Sequence, residues 1–255
     1  MKKKIYFANP IIDTKDTLKF IKICLKKNFP NENILTKNLK NILKKLLKVR
    51  YVVLTTSGTS ALYLALKAND IGKGDEVIIP NITFPATANA VHMTGAKVVL
   101  SDVSQKDLLI NVSSLKNKFS KSTKAIIPVH ISGRGSNIQN LKKIADKKKI
   151  IIIEDAAEAL GSKYKNKSLG SFGVCGCFSL APNKIITTGQ GGILVTNNKK
   201  IYKKIIQLKD QGRYRDIRNE SKYNYRGFNF KFTDLQAGLG LSQIKNFKKR
   251  KEKLS

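Results

Sequence analysis

Ile150-Ile151-Ile152-Ile153-Glu154-Asp155 is an unbroken β-branched run closed by two acids. Successive side chains of a strand point to opposite faces, so a run this apolar needs cover on both sides. Residues 138–148, just before it, read as a helix, and the pair is half of a βαβ unit. The same alternation extends outward. Upstream, residues 52–55 are a short buried strand. Residues 61–67 are strong helix formers with Leu62, Ala65 and Leu66 on one side. Ile71-Gly72-Lys73-Gly74-Asp75 is expected to close that helix with glycine. Strands follow at 76–80, 97–102 and 125–129, with a helix at 85–94. Downstream, residues 174–180 are apolar enough for another buried strand. The pattern predicts an α/β fold whose mainly parallel sheet carries helices on both faces.

The two ends read differently. Residues 11–50 look helical, with Phe20, Ile23 and Cys24, then Leu39, Ile42, Leu43, Leu46 and Leu47, at helical spacing. Phe29-Pro30-Asn31-Glu32-Asn33 breaks between them. From about Asp210 the chain turns polar and aromatic, and 211–215 and 223–230 read as loop. Thr233-Asp234-Leu235-Gln236 reads as a helix start. The organisation expected is a helical segment over 1–50, a main domain over 51–210 and an end region over 211–255.

Composition sets bounds. The 255 residues suit one large domain, and the formal net charge is +32. The lysines are spread along the whole chain among many Ile and Asn, with no nucleic-acid-binding motif and no basic stripe interleaved with aromatics. Specific nucleic-acid binding is therefore not expected. No apolar run is membrane-length. Met1-Lys2-Lys3-Lys4 is basic, but Ile5-Tyr6-Phe7-Ala8 is too short for a signal-peptide core, so the expected place is the cytoplasm. Cys24, Cys175 and Cys177 form no disulfide framework. Cys175 and Cys177 share a strand face with no nearby His or third Cys to complete a metal site, so no metal is expected.

Four stretches carry chemistry. Thr56-Ser57-Gly58-Thr59-Ser60 lies where a strand feeds a helix, and the free amides of a helix start bind phosphate, although a capped helix start needs no ligand. Phe84 follows another strand's carboxyl end, where ligands bind in open α/β sheets. It could stack on a flat ring or pack in the core. Asp155 ends the isoleucine strand; it is either a helix cap or the partner of a cation such as a protonated pyridine nitrogen. Lys184, in Ser179-Leu180-Ala181-Pro182-Asn183-Lys184-Ile185-Ile186-Thr187-Thr188-Gly189-Gln190-Gly191-Gly192, lies between a strand and a Gly-rich turn. Desolvation there would favour a neutral amine able to form a Schiff base. In so lysine-rich a chain, an ordinary surface lysine is the alternative. Phosphate site, stacking ring, pyridinium partner and Schiff-base lysine, in that order, are the equipment for pyridoxal 5'-phosphate (PLP).

Together these motifs resemble the DegT/DnrJ/EryC1/StrS sugar aminotransferases, PLP enzymes of the aspartate-aminotransferase fold (fold type I). The resemblance covers about residues 51–243. It is carried by Ser57-Gly58-Thr59-Ser60-Ala61-Leu62, Asp75-Glu76-Val77-Ile78-Ile79-Pro80, Glu154-Asp155-Ala156-Ala157-Glu158-Ala159-Leu160-Gly161, the Lys184 stretch, and Gly227-Phe228-Asn229-Phe230-Lys231-Phe232-Thr233-Asp234-Leu235-Gln236-Ala237. The acidic motif looks most like that of perosamine-synthase-type members.

The resemblance implies that Lys184 bonds the cofactor and then shuttles a proton, Asp155 bonds the pyridinium nitrogen, and Phe84 stacks on the ring. It implies that the Gly58 and Thr59 amides and the Ser179 hydroxyl hold the phosphate. Glu158 would lie near the ring's phenolic oxygen, where other members carry Gln or His. Asn229 would reach the phosphate in a neighbouring subunit, which makes a homodimer with shared sites the expected assembly. The implied substrates are a nucleotide-linked keto sugar, usually 4-keto-6-deoxy, and glutamate, for polysaccharide precursor synthesis. A sugar dehydratase of the family would carry histidine in place of Lys184. Three departures stand out. Gln190 replaces a usual Glu. Phe29-Pro30-Asn31-Glu32-Asn33 replaces a substrate-contacting turn. The sequence stops at Ser255, where relatives continue into a smaller domain that helps close the site. On that last ground a non-catalytic or weakly active PLP-binding dimer is the alternative expectation.

Overall fold

The isoleucine run forms the central strand of a seven-stranded sheet. The computed structural model describes residues 10–215 and 220–252; the basic start, the short apolar run at 5–8, and the last residues, 253–255, lie outside them. The elements are α1 (Thr14–Lys26), α2 (Ile34–Leu47), β1 (Tyr51–Thr55), α3 (Gly58–Ala68), β2 (Glu76–Pro80), α4 (Ala86–Thr94), β3 (Lys97–Ser101) and β4 (Thr123–Ile126). They continue with α5 (Ile138–Lys148), β5 (Ile151–Asp155), β6 (Lys163–Tyr164), β7 (Lys167–Ser168), β8 (Cys175–Ser179), β9 (Gly192–Thr196) and α6 (Lys199–Leu208). The chain ends with β10 (Arg213–Arg215), β11 (Ser221–Tyr223), α7 (Asp234–Lys245) and α8 (Phe247–Glu252).

The sheet order is β1-β9-β8-β5-β4-β2-β3. Every neighbouring pair from β8 to β3 is parallel, and β9 lies antiparallel between β1 and β8. The sheet is therefore mixed but mainly parallel. Its alternating side chains split into two faces. Val53, Val77, Ile79, Ala125, Ile153, Cys175, Cys177 and Leu194 pack under α3, α4 and α6. On the other face, Val52, Leu54, Phe178, Ile193 and Val195 pack under α2 and α7, and Ile78, Ile126 and Ile152 under α5. Both cysteines of β8 are buried on one face, and burial pushes the Cys175 thiol up to about 12, as suits a core side chain. Leu39, Leu43 and Leu47 recur every four residues along α2 and are fully buried. Each contributes roughly 1.5–3 kcal/mol.

One acid, Asp234, helps join the two ends of the chain, beside contacts such as the Lys245–Asp16 ion pair. Asn33, before α2, makes no side-chain cap. Asp234 caps that helix from 200 positions away: its carboxylate accepts from the amides of Asn33 (2.8 Å), Leu35 (3.1 Å) and Thr36 (3.0 Å) and from the Thr36 hydroxyl (2.6 Å). A negative charge at a helix start also meets the positive end of the helix dipole. α7 caps itself through Thr233 and Gln236.

The structure corrects some expectations. α3 ends on Asn69, whose amide bonds back to Leu66 and Lys67, not on a glycine; Gly72 and Gly74 belong to the turn that follows. The region read as loop contains a hairpin, with Arg213 opposite Tyr223. The turn 29–33 is fastened by Glu32 pairing with the buried Lys209, and by Pro30 accepting from the Asp234 amide. Among the described residues no helix is long and apolar enough to cross a membrane.

Candidate active site

The site lies at the carboxyl end of the parallel strands and gathers the ends of β1, β2, β5 and β8. β1 passes into α3 through Ser57, which caps the helix by accepting from the Ser60 amide. The amides of Gly58 and Thr59 precede the first intrahelical bond and make no hydrogen bond among the described residues. A Cβ at Gly58 would come 3.2 Å from the Ser179 Cβ, so glycine lets the helix start close on the end of β8. A Cβ at Gly192 would overlap the Ser57 carbonyl, so glycine is needed where β9 begins, too. The outcome is two free amides beside one serine hydroxyl.

Ser179 also lines a cleft of about 410 Å³ with Lys184, Glu158, Asn183, Ser132, Ser162 and Lys251. Lys184 Nζ donates to Glu158 Oε1 at 3.2 Å, and the Ser132 amide donates to Glu158 Oε2 at 2.8 Å. Ser132 adopts a left-handed backbone (φ 51°) to present that amide. Burial opposes the charge on Glu158, but the Ser132 amide and the Lys184 ammonium outweigh it and hold the carboxyl below its usual range.

Asp155 lies deeper, only 5% exposed. Its Oδ2 accepts from Thr87 Oγ at 2.7 Å, and its Oδ1 from the Ala157 amide at 3.1 Å. No cation touches it among the described residues. Burial therefore raises its carboxyl, while Thr87, the Ala157 amide, His130 and Lys184 offset part of the rise. Thr87 is on the first turn of α4, and its amide bonds to the Phe84 carbonyl at 3.1 Å. The same short turn thus carries both the Asp155 contact and Phe84, whose ring stands 79% exposed. Exposure on that scale excludes core packing for Phe84 in this chain.

Gly58, Thr59, Ser179, Lys184, Glu158, Asp155 and Phe84 are therefore placed around one strand edge. Asn229 is not with them. It is exposed and forms a backbone bridge to Asp210; like Gly58, Thr59, Asp155 and Phe84 it does not line the cleft itself, but unlike them it does not lie at the end of a sheet strand or in the turn that follows one. Gln190 is exposed, and its carbonyl accepts from Gln236 at 2.8 Å. Thr87, His130 and Ser132 were not evident from the sequence. Nothing in their local pattern separates them from structural residues, because their partners are 24 to 68 positions away.

The profile of the DegT/DnrJ/EryC1/StrS aminotransferase family matches residues 12–254. The chain belongs to this family. GDP-perosamine synthase of Escherichia coli O157:H7 is 39% identical over 196 residues, 77% of this chain and 53% of that protein. The chain spans about half the length of the curated relatives it matches. Among solved structures, the PLP form of a Streptococcus pneumoniae protein assigned as a sugar aminotransferase superposes with a TM-score of 0.90 at 27% identity. That match covers 97% of this chain and 68% of the other. PseC of Helicobacter pylori, an aminotransferase of pseudaminic acid biosynthesis, gives 0.89 at 29% identity, covering 96% of this chain and 66% of the other. The fold is that of the PLP sugar aminotransferases.

Proposed function

We propose that the chain binds PLP in this cleft and transfers an amino group from glutamate to a nucleotide-linked keto sugar, in the cytoplasm, for polysaccharide precursors. The observation that carries the reading is the donor set around Lys184. Among the described residues, a lysine paired only with a half-exposed glutamate shares a strand edge with a buried carboxylate that has no cation, and with two free helix-start amides beside a serine. That set fits a flat, phosphorylated pyridine at three points. The amides of Gly58 and Thr59 with Ser179 would hold the phosphate. Asp155 would hold a proton on the ring nitrogen. Phe84 would cover one face of the ring. PLP, when bound, supplies the electron sink for moving an amino group between carbons.

The remaining chemistry belongs to the chain. Lys184 is the amine that would hold the cofactor and move a proton. Glu158, fixed by the Ser132 amide, holds the ammonium of Lys184 in the cleft. Trapping tests the assignment: borohydride reduction with PLP, then digestion, should place the cofactor on the peptide containing Lys184. Label on another lysine, or none under saturating PLP, would sink it. Incubation with glutamate and GDP-linked keto sugars tests the substrates.

Asn229 is exposed and does not line the cleft of its own chain, which supports a role in the cleft of a second copy. We infer a homodimer with shared sites. Asn229→Ala should weaken PLP retention and leave the fold intact. A monomer that retains PLP fully at high dilution, by sedimentation and absorbance, would contradict this.

A further inference from the structure

Thr87 is completely buried, and its one hydroxyl proton is committed. Thr87 Oγ donates to Asp155 Oδ2 at 2.7 Å and lies 2.8 Å from Thr83 Oγ. With the Thr87 proton on Asp155, the contact to Thr83 is a hydrogen bond only if Thr83 donates. Thr83 has a longer alternative, 3.4 Å to the Phe84 carbonyl. The three groups therefore form a chain of one direction, from Thr83 through Thr87 to Asp155. Donors linked in this way polarise and strengthen one another. The chain starts in the loop that carries Phe84 and ends on the buried acid. Packing alone would be served by valine, which has the same shape. The hydroxyl is what Asp155 needs, because among the described residues its only other donor is the Ala157 amide.

We propose that Thr87 is a positioning residue for the transamination, acting through Asp155: its hydroxyl aims the carboxylate and keeps it charged for the ring nitrogen. This rests on the PLP reading given above. A hydroxyl donor favours carboxylate over carboxylic acid, because only the charged form accepts on every oxygen. His130 and Lys184 also favour the charged form from nearby. The neutral thiol of Cys177 faces it from β8, and the Glu154 carboxylate precedes it on the strand. Thr87 is the only side chain among the described residues hydrogen-bonded to Asp155. Removing its hydroxyl should move the proton of a bound ring nitrogen toward Asp155 and weaken the electron sink.

The test compares Thr87→Val with Thr87→Ser. In the cofactor-free protein, a carbon-13 NMR titration should show the Asp155 midpoint rising by about one pH unit or more in Thr87→Val, the size a charge-assisted hydrogen bond implies. Thr87→Ser should restore it, and Thr83→Val should give a smaller rise. With PLP labelled with nitrogen-15 in the ring, the resonance should move toward that of unprotonated pyridine in Thr87→Val only. Equal midpoints in wild type and Thr87→Val would overturn the proposal. So would a midpoint that rises equally in Thr87→Ser, which keeps the hydroxyl and covers the case in which valine disturbs the fold. The expected midpoint rise in Thr87→Val, found together with a wild type that fails to bind PLP, would overturn the cofactor reading, and with it the positioning role in transamination, while the hold on Asp155 would stand.

Discussion

Glu154 and Asp155 are adjacent carboxylates at the end of one strand, both buried, and their surroundings are opposite. Glu154 accepts four hydrogen bonds: from His130 Nε2 (2.9 Å) and the Gly170 amide (2.8 Å) on Oε2, and from the Phe172 (2.6 Å) and Gly173 (2.7 Å) amides on Oε1. His130 Nε2 faces Glu154, and the Ser136 amide lies 3.4 Å from its Nδ1. Asp155 accepts only two among the described residues, from Thr87 and Ala157. A carboxylate offers about four lone-pair sites. Glu154 is saturated by the chain, whereas Asp155 keeps accepting capacity in reserve. Saturation marks the structural acid, and spare capacity marks the one that can serve a ligand.

The sharpest way to break this contrast is to remove each acid. Glu154→Ala should leave one buried and two part-buried amides, and the buried His130, without their acceptor, and should cost on the order of 3–5 kcal/mol. A urea titration read by circular dichroism would show it as a large fall in midpoint. A loss below about 1 kcal/mol would mean that water or a rearranged loop replaces the carboxylate.

Asp155→Asn should behave in the opposite way. Its amide can donate to Thr87 Oγ, whose hydroxyl then turns to Thr83, and its oxygen can still accept from Ala157. Because burial raises the Asp155 carboxyl, the folded state binds this proton more tightly than the unfolded chain does. The penalty for ionising it is absent below the unfolded value, grows between the two values, and is fully present above the folded one. Above that range the variant should be at least as stable as wild type, yet bind PLP more weakly. A urea midpoint that falls as far as that of Glu154→Ala would erase the distinction.

How far these roles were legible in the sequence follows from the same contrast. The isoleucine strand, the helix ending at Lys148 and the order of motifs from Ser57 to Lys184 are local patterns, and the fold obeys them. Asp155 and Lys184 are legible as candidates because a charge at a strand's end and a lysine before a Gly-rich turn stand out locally. The acceptor role of Glu154 was not, since its donors come from residues 130 and 170–173. Nor was the cap on α2, since Asp234 comes from the far end of the chain. The antiparallel insertion of β9 also depends on pairing with two strands, one of them β1, about 140 positions earlier. Long-range partners leave no period in the sequence, so the elements were readable while much of what fastens them was not.

The smallest effect concerns Glu158, and its sign separates it from Asp155. The Ser132 amide and Lys184 hold Glu158 below its usual range against the cost of burial. Its contribution is therefore present above the unfolded carboxyl value and is lost as pH falls through the lowered folded one. Its side chain is 46% exposed and that of Lys184 16%, so water screens the pair, and Glu158→Gln should cost less than about 1 kcal/mol at neutral pH. The variant keeps an acceptor for Ser132 and loses only the charge. Urea midpoints taken from pH about 3 to about 7 should show wild type and variant converging at the acid end and parting slightly above it. Added salt should narrow the gap at neutral pH, since the pair is partly open to solvent. For Asp155→Asn the difference runs the other way, with the variant gaining on wild type as pH rises. If both substitutions shifted the pH curve in the same direction, the division of labour between the deep acid and the cleft acid would be wrong.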